Sequence, residues 1–169
     1  MNDATRAAAI RGDEHWTSKD GDVKLFMFEK CGGDPNRAAG KILFVHGSSM
    51  ASQPTFDLQV EDRPDSSVMD WFARRGFDCW CMDMEGYGRS TKDRTTMPRL
   101  HRGPTIVWRP RLTSSACAAS CSFTAFSSGA LRAALFAQRH PQPVARLALD
   151  ARVWTGEVER SDGHRRMRR

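Results

Sequence analysis

Residues 125–140, AFSSGALRAALFAQRH, constrain the fold most: an apolar approach, a turn of small residues, then an alanine-rich amphipathic helix. A strand that turns directly into a helix forces the residue at the bend into strained backbone angles and tolerates only tiny neighbours. Ser127 stands at that bend, flanked by Ser128 and Gly129. The helix expected over residues 129–139 directs its positive end back at Ser127, which favours negative charge developing beside the hydroxyl. His140 and Pro141 stop it. Ala125 stands where a G-x-S-x-G turn has its first glycine, so these residues alone allow a nucleophile elbow or an ordinary Ser-Ser helix cap.

Three further apolar runs place that turn in a larger pattern. Residues 41–45, KILFV, follow Gly40 and end at His46-Gly47, which reads as a buried parallel strand opening onto the loop HGSSM. Residues 77–83, FDCWCMD, read as a second buried strand that empties into the glycine-loosened turn EGYGRS. Between them, Val68, Met69, Trp71 and Phe72 recur at helical spacing within residues 67–75. Residues 144–149, VARLAL, supply another strand after the serine helix. The order strand, helix, strand, gap, turn, helix, strand points to a doubly wound α/β sheet. Residues 15–19 and 23–29, separated by Asp20-Gly21-Asp22, predict an N-terminal β-hairpin.

The motifs FVHGSS, CMDMEGYGRS and FSSGALRAALFAQRHP, followed by VARLALD, resemble in content and order those of the α/β-hydrolase family, especially its lysophospholipase-like and serine-aminopeptidase-like branches. The resemblance covers residues 14 to about 156. It implies an incomplete α/β-hydrolase-type sheet and a serine hydrolase that cleaves an ester or amide of a small molecule through an acyl-enzyme. Ser127 would be the nucleophile. The backbone N–H groups of Ser128 and of Ser48, or Ser49 in its place, would form the oxyanion hole. Asp83 matches a position that braces its turn, and Glu85 would line the entrance. Asp150 closes its strand as a structural or substrate-facing acid, and Trp154 would contact an acyl pocket or simply pack.

The same resemblance exposes a shortfall. The family's acid and histidine lie on loops after later strands, and a serine hydroxyl is a poor nucleophile without an oriented base. His164 is the only histidine after residue 149, with Glu159 and Asp162 nearby, and no strand pattern positions them. His15, His46, His101 and His140 fall in the hairpin, the oxyanion turn, an irregular interval and the helix stop. The chain is therefore expected to be a catalytically incomplete hydrolase, with a non-enzymatic remnant as the competing reading.

That irregular interval, residues 94–126, has no helical period and is rich in Arg and Pro where the resemblance expects a helix and strand. Shifting Phe123–Phe126 by one nucleotide permits the peptide LYGI ahead of Ser127, restoring G-x-S-x-G. Residues 94–126 are accordingly read as translated out of frame, with a divergent loop as the alternative. In its own frame, CSFTAF remains apolar enough to form a strand.

Domain organisation follows: a frayed lead over residues 1–12, a partial hydrolase-type domain over 13–156 with the irregular stretch at 94–119, and a basic tail over 157–169. The net charge of +6 comes largely from residues 94–111 and the terminal HRRMRR, without an aromatic platform or recognition helix, so specific nucleic-acid binding is not expected. Five cysteines in no zinc-like spacing predict free thiols, no metal and no cofactor. No signal peptide or membrane-length apolar run is evident, and the expected location is the cytoplasm. Uncovered apolar faces on residues 144–149 would favour self-association through the sheet edge.

Overall fold

The computed structural model describes residues 10–19, 22–63, 65–92 and 121–151. Six strands form one sheet: β1 (Arg11–Lys19), β2 (Val23–Cys31), β3 (Gly40–Val45), β4 (Phe77–Met82), β5 (Cys121–Phe126) and β6 (Val144–Asp150), in the order β1-β2-β4-β3-β5-β6. β2 runs antiparallel to both β1 and β4, while β4/β3, β3/β5 and β5/β6 pair in parallel. Antiparallel entry followed by parallel crossovers makes this a mixed, doubly wound sheet.

Alternation along the strands divides the core between two faces. Leu43 and Val45 of β3, Trp80 and Met82 of β4, and Cys121, Phe123 and Ala125 of β5 pack on one face with helix α3 (Ser128–Arg139), through its Ala130, Ala133 and Phe136. Ile42 and Phe44, Cys79 and Cys81, and Phe26 and Phe28 point to the opposite face. There they meet Phe56 of α1 (Ser52–Phe56) and Met69 and Ala73 of α2 (Val68–Ala73). α2 is shorter than the expected 67–75 because Ser67 caps it, its hydroxyl accepting from Asp70 N–H at 3.0 Å, and Arg74 closes it.

Several boundaries differ from the sequence reading for physical reasons. The hairpin reaches out to Arg11, inside the stretch expected as a frayed lead, because backbone pairing continues from Lys19↔Val23 to Arg11↔Cys31. Residues 11–14 are polar and exposed, so no apolar alternation announced them. Of the interval read as out of frame, residues 94–120 lie outside the described residues, as do residues 1–9 of the lead and 152–169, including the tail. Cys121–Phe126 forms β5 with its alternate residues buried, paired in parallel to β3 from Ile42↔Ser122 to Val45↔Ala125.

Buried charge links the strands at the end of the sheet remote from Ser127. Lys41 of β3 pairs with Asp78 of β4, whose side chain is fully buried, and His15 Nε2 of β1 lies 2.8 Å from Glu29 Oε2 of β2. On the other face, Lys30 of β2 donates to Asp57 at 2.7 Å and to Asp70 at 2.6 Å, tying the antiparallel ribbon to α2. Burial, and then the neighbouring Asp78 carboxylate, push the Glu29 carboxyl up to about 7.

The sign of the resulting pH dependence is definite. Between its ordinary value of 4.5 and about 7, Glu29 keeps its proton in the fold but loses it on unfolding, so its contribution to stability falls as pH rises through that window. Urea unfolding at about pH 4.5 and about pH 7.5 should show wild type losing stability relative to Glu29→Gln as pH increases. A constant difference between the two proteins would contradict this assignment.

Candidate functional site

Ser127 sits between the end of β5 and the first residue of α3, with φ 54° and ψ −130°. No ordinary side-chain conformer favours that backbone, so the surrounding contacts must hold it there. Its N–H donates to Asp150 O at 3.0 Å, and its own carbonyl accepts from Ala130 N–H at 3.0 Å. The hydroxyl makes no capping bond to the helix, which separates this turn from an ordinary serine cap.

The loop after β3 lies directly against this bend. A Cβ on Gly47 would come 3.0 Å from Ser127 Cβ. Gly129 is the tighter point: a Cβ there would lie 2.4 Å from His46 O and 2.6 Å from Val45 O, so only glycine lets the first turn of α3 reach the end of β3. Ser48 Oγ and Ser128 Oγ share a hydrogen bond at 2.8 Å. The expected oxyanion residues are therefore brought together, and the N–H of Ser128, the first residue of α3, has no acceptor one turn back within the helix. Ser49, the alternative donor, adopts φ 86° on the exposed side of the loop.

The loop after β4 locks onto the same place. Asp83 Oδ1 accepts from Ser52 N–H at 2.7 Å and Ser52 Oγ–H at 2.6 Å, while Oδ2 accepts from Arg89 N–H at 2.9 Å. A Cβ on Gly88 would lie 1.9 Å from Asp83 Oδ2, so the turn closes only around glycine. His46 is fully buried; its Nδ1–H donates to Gly47 O at 2.6 Å and its Nε2 accepts from Met84 N–H at 3.0 Å. Only the neutral imidazole satisfies both contacts. Burial holds His46 below the usual imidazole range, and the nearby positive charge of Arg132 acts in the same direction. Asp83 braces its turn, and His46 joins the two loops.

The described histidines are engaged away from the Ser127 hydroxyl. His15 meets Glu29, His46 bridges the loops, and His140 packs on Phe136 with ring centroids 5.1 Å apart. Asp150 is exposed and contributes its carbonyl to Ser127 N–H, while Glu85 is buried in the β4 turn. His101, Trp154, Glu159, Asp162 and His164 lie outside the described residues. Among the described residues no group of three or more His, Cys, Asp or Glu side chains is arranged to hold a metal ion. Burial pushes the Cys81 and Cys121 thiols up to about 12, which makes them poor nucleophiles. No helix among the described residues is long and apolar enough to cross a membrane.

Sequence reasoning missed Ser52 and the bridging role of the His46 ring. Their signal is not local: each contact joins segments more than thirty residues apart, |i−j| being 31 for Ser52–Asp83 and 38 for His46–Met84.

No protein-family profile and no curated protein matches the sequence. Solved structures do. A CIB-like hydrolase from Thermoplasma acidophilum superposes with TM-score 0.62 at 19% identity over 86% of this chain and 65% of its own. The thioesterase domain from the curacin biosynthetic pathway gives TM-score 0.66 at 17% identity, over 88% and 49%. The Pyrococcus furiosus esterase Pf2001 gives 0.55 at 15%, over 84% and 52%. The fold is thus that of the α/β-hydrolases, and the chain spans about half to two thirds of the length of these structures.

Close approach at Gly129 is open to a direct test. Gly129→Ala should destabilise the protein by at least about 2 kcal/mol, because backbone carbonyls cannot yield as a side chain can. Gly33→Ala, with nothing within 4 Å of the added Cβ, should stay within about 0.5 kcal/mol of wild type. Equal denaturation midpoints for the two variants would show that α3 does not depend on this contact.

Proposed function

We propose that the chain carries the nucleophile and oxyanion half of a serine hydrolase site that acts on an ester or amide of a small molecule. Ser127 Oγ attacks the carbonyl carbon, the leaving group departs, and water later releases the acyl group. The N–H groups of Ser48 and Ser128 take the negative oxygen of the tetrahedral intermediate, where aligned donors stabilise charge absent from the ground state. One observation carries this reading: a serine at φ 54° between strand and helix, its hydroxyl free of capping and its Cβ against the Gly47 loop. Nothing in such a bend serves stability, since a strained residue costs about 1–3 kcal/mol.

We further propose that the site is catalytically incomplete, as the described imidazoles are engaged elsewhere. Attack by Ser127 requires transfer of its hydroxyl proton, and an unassisted serine reacts slowly. A fluorophosphonate probe tests both statements. In that reaction the Ser127 Oγ–P bond forms, the P–F bond breaks, and fluoride and the hydroxyl proton pass to solvent. Slow labelling of wild type that disappears in Ser127→Ala is expected. Ester hydrolysis should not exceed the residual acceleration of about 10³–10⁴ over water typical of a site without a working triad. Labelling that survives in Ser127→Ala, or its absence in protein with a cooperative unfolding transition, overturns the nucleophile. Faster turnover overturns the incompleteness.

A further inference from the structure

Arg132 is out of keeping with the other charges near Ser127. It is half-buried on α3, and Nη1 lies 2.7 Å from Met84 Sδ, a weak acceptor. Among the described residues no carboxylate lies within ion-pair distance of it. Arg74 pairs with Asp65 at 2.9 Å and Arg89 with Glu14 at 2.8 Å, whereas the guanidinium of Arg132 meets a thioether. A cation withdrawn from water without a counter-charge is unfavourable, and a thioether offsets little of that cost. Burial lowers the readiness of this guanidinium to hold its proton, although it stays charged at any working pH.

Its position relates it to the nucleophile. Helical side chains lean toward the N-terminus, so residue 132 covers the turn that begins at Ser128. Its contact, Met84, donates its N–H to His46, and the next residue, Gly47, abuts Ser127. The His46 ring lies 5.0 Å from that of Tyr87. Two carboxylates flank Met84 in sequence: Asp83 is occupied by Ser52 and Arg89, and buried Glu85 makes no ion pair with Arg132. Arg132 thus stands one turn beyond the N-terminus of α3, with no carboxylate among the described residues within ion-pair distance of its guanidinium.

We propose that Arg132 is a specificity-determining residue that binds a carboxylate on the substrate acylating Ser127. The inference rests on the preceding functional reading. A guanidinium is a planar fork matched to two carboxylate oxygens, and an incoming carboxylate supplies a counter-charge that none of the described residues provides. A neutral ester of the same size does not.

Equilibrium binding of monomethyl succinate, which is anionic, and dimethyl succinate, which is neutral, tests this on the full chain by tryptophan fluorescence. Wild type and Ser127→Ala should each bind the monoester at least about tenfold more tightly than the diester. Arg132→Gln should bind the two alike. Arg132→Met, an apolar replacement of similar length that removes the half-buried charge, should do the same and guards against misfolding of the first variant. Equal binding of both esters by wild type, no binding of either up to about 10 mM, or a preference that survives both substitutions overturns the proposal. Failure of the hydrolase reading looks different: Ser127 resists the fluorophosphonate while the Arg132-dependent preference persists.

Discussion

The first turn of α3 lies against the carbonyl ends of β3, and the geometry around Ser127 depends on that contact. Gly129 makes it possible, since any Cβ would drive into Val45 O and His46 O. With α3 held there, the chain leaving β5 has one residue in which to reverse from extended to helical, and Ser127 takes the strain at φ 54°. Parallel pairing of β4, β3, β5 and β6 sets the loops after these strands on one edge of the sheet. Loops from β3 and β4 therefore converge on the bend without any long connection.

Convergence alone would leave those loops mobile; two buried polar groups join them. Asp83 ends β4 and holds Ser52 at the start of α1 together with the Arg89 turn, so three donors satisfy a carboxylate that would otherwise be costly to bury. His46 ends β3 and receives Met84 N–H from the same turn. The strand ends thus exchange hydrogen bonds in both directions. Amide donors carried on such a frame need little reorganisation when charge develops beside them, which is the condition under which they are most effective.

How much of this was legible follows from the range of each contact. β3 and β4 showed as unbroken apolar runs because both of their faces are covered, and α3 showed through its alanines and its His-Pro stop. The resemblance implied that Ser128 and Ser48 or Ser49 would lie near one another, but not the hydrogen bond between the Ser48 and Ser128 hydroxyls. β1 was under-read because an edge strand of polar residues gains its structure from backbone pairing, which leaves no hydrophobic period. α1, five residues with an internal proline, is too short for any period to register, yet its Ser52 completes Asp83. β5 lies within an interval that looked disrupted, but burying Cys121, Phe123 and Ala125 on the α3 face needs only alternation, which CSFTAF retains in the chain's own frame. Arg132 was indistinguishable from the other basic residues until the fold placed it beside Met84 instead of an acid.

The Ser127 bend is shaped independently of any base that would reach its hydroxyl. Among the described residues, the contacts that shape the Ser127 bend come from β3, β4, β5, α1, α3 and their loops, with Asp150 O contributed by β6. β6 itself leaves most of its side chains exposed, Leu147 among them at 38%, and takes little part in the apolar core that fixes the turn. The strained serine and the amides beside it can therefore hold their arrangement whether or not a base reaches the hydroxyl. Under the proposed function, the oxyanion side would be a local property of the β3–β4–β5 crossover, and the rate of attack would be set separately by whatever base reached the hydroxyl.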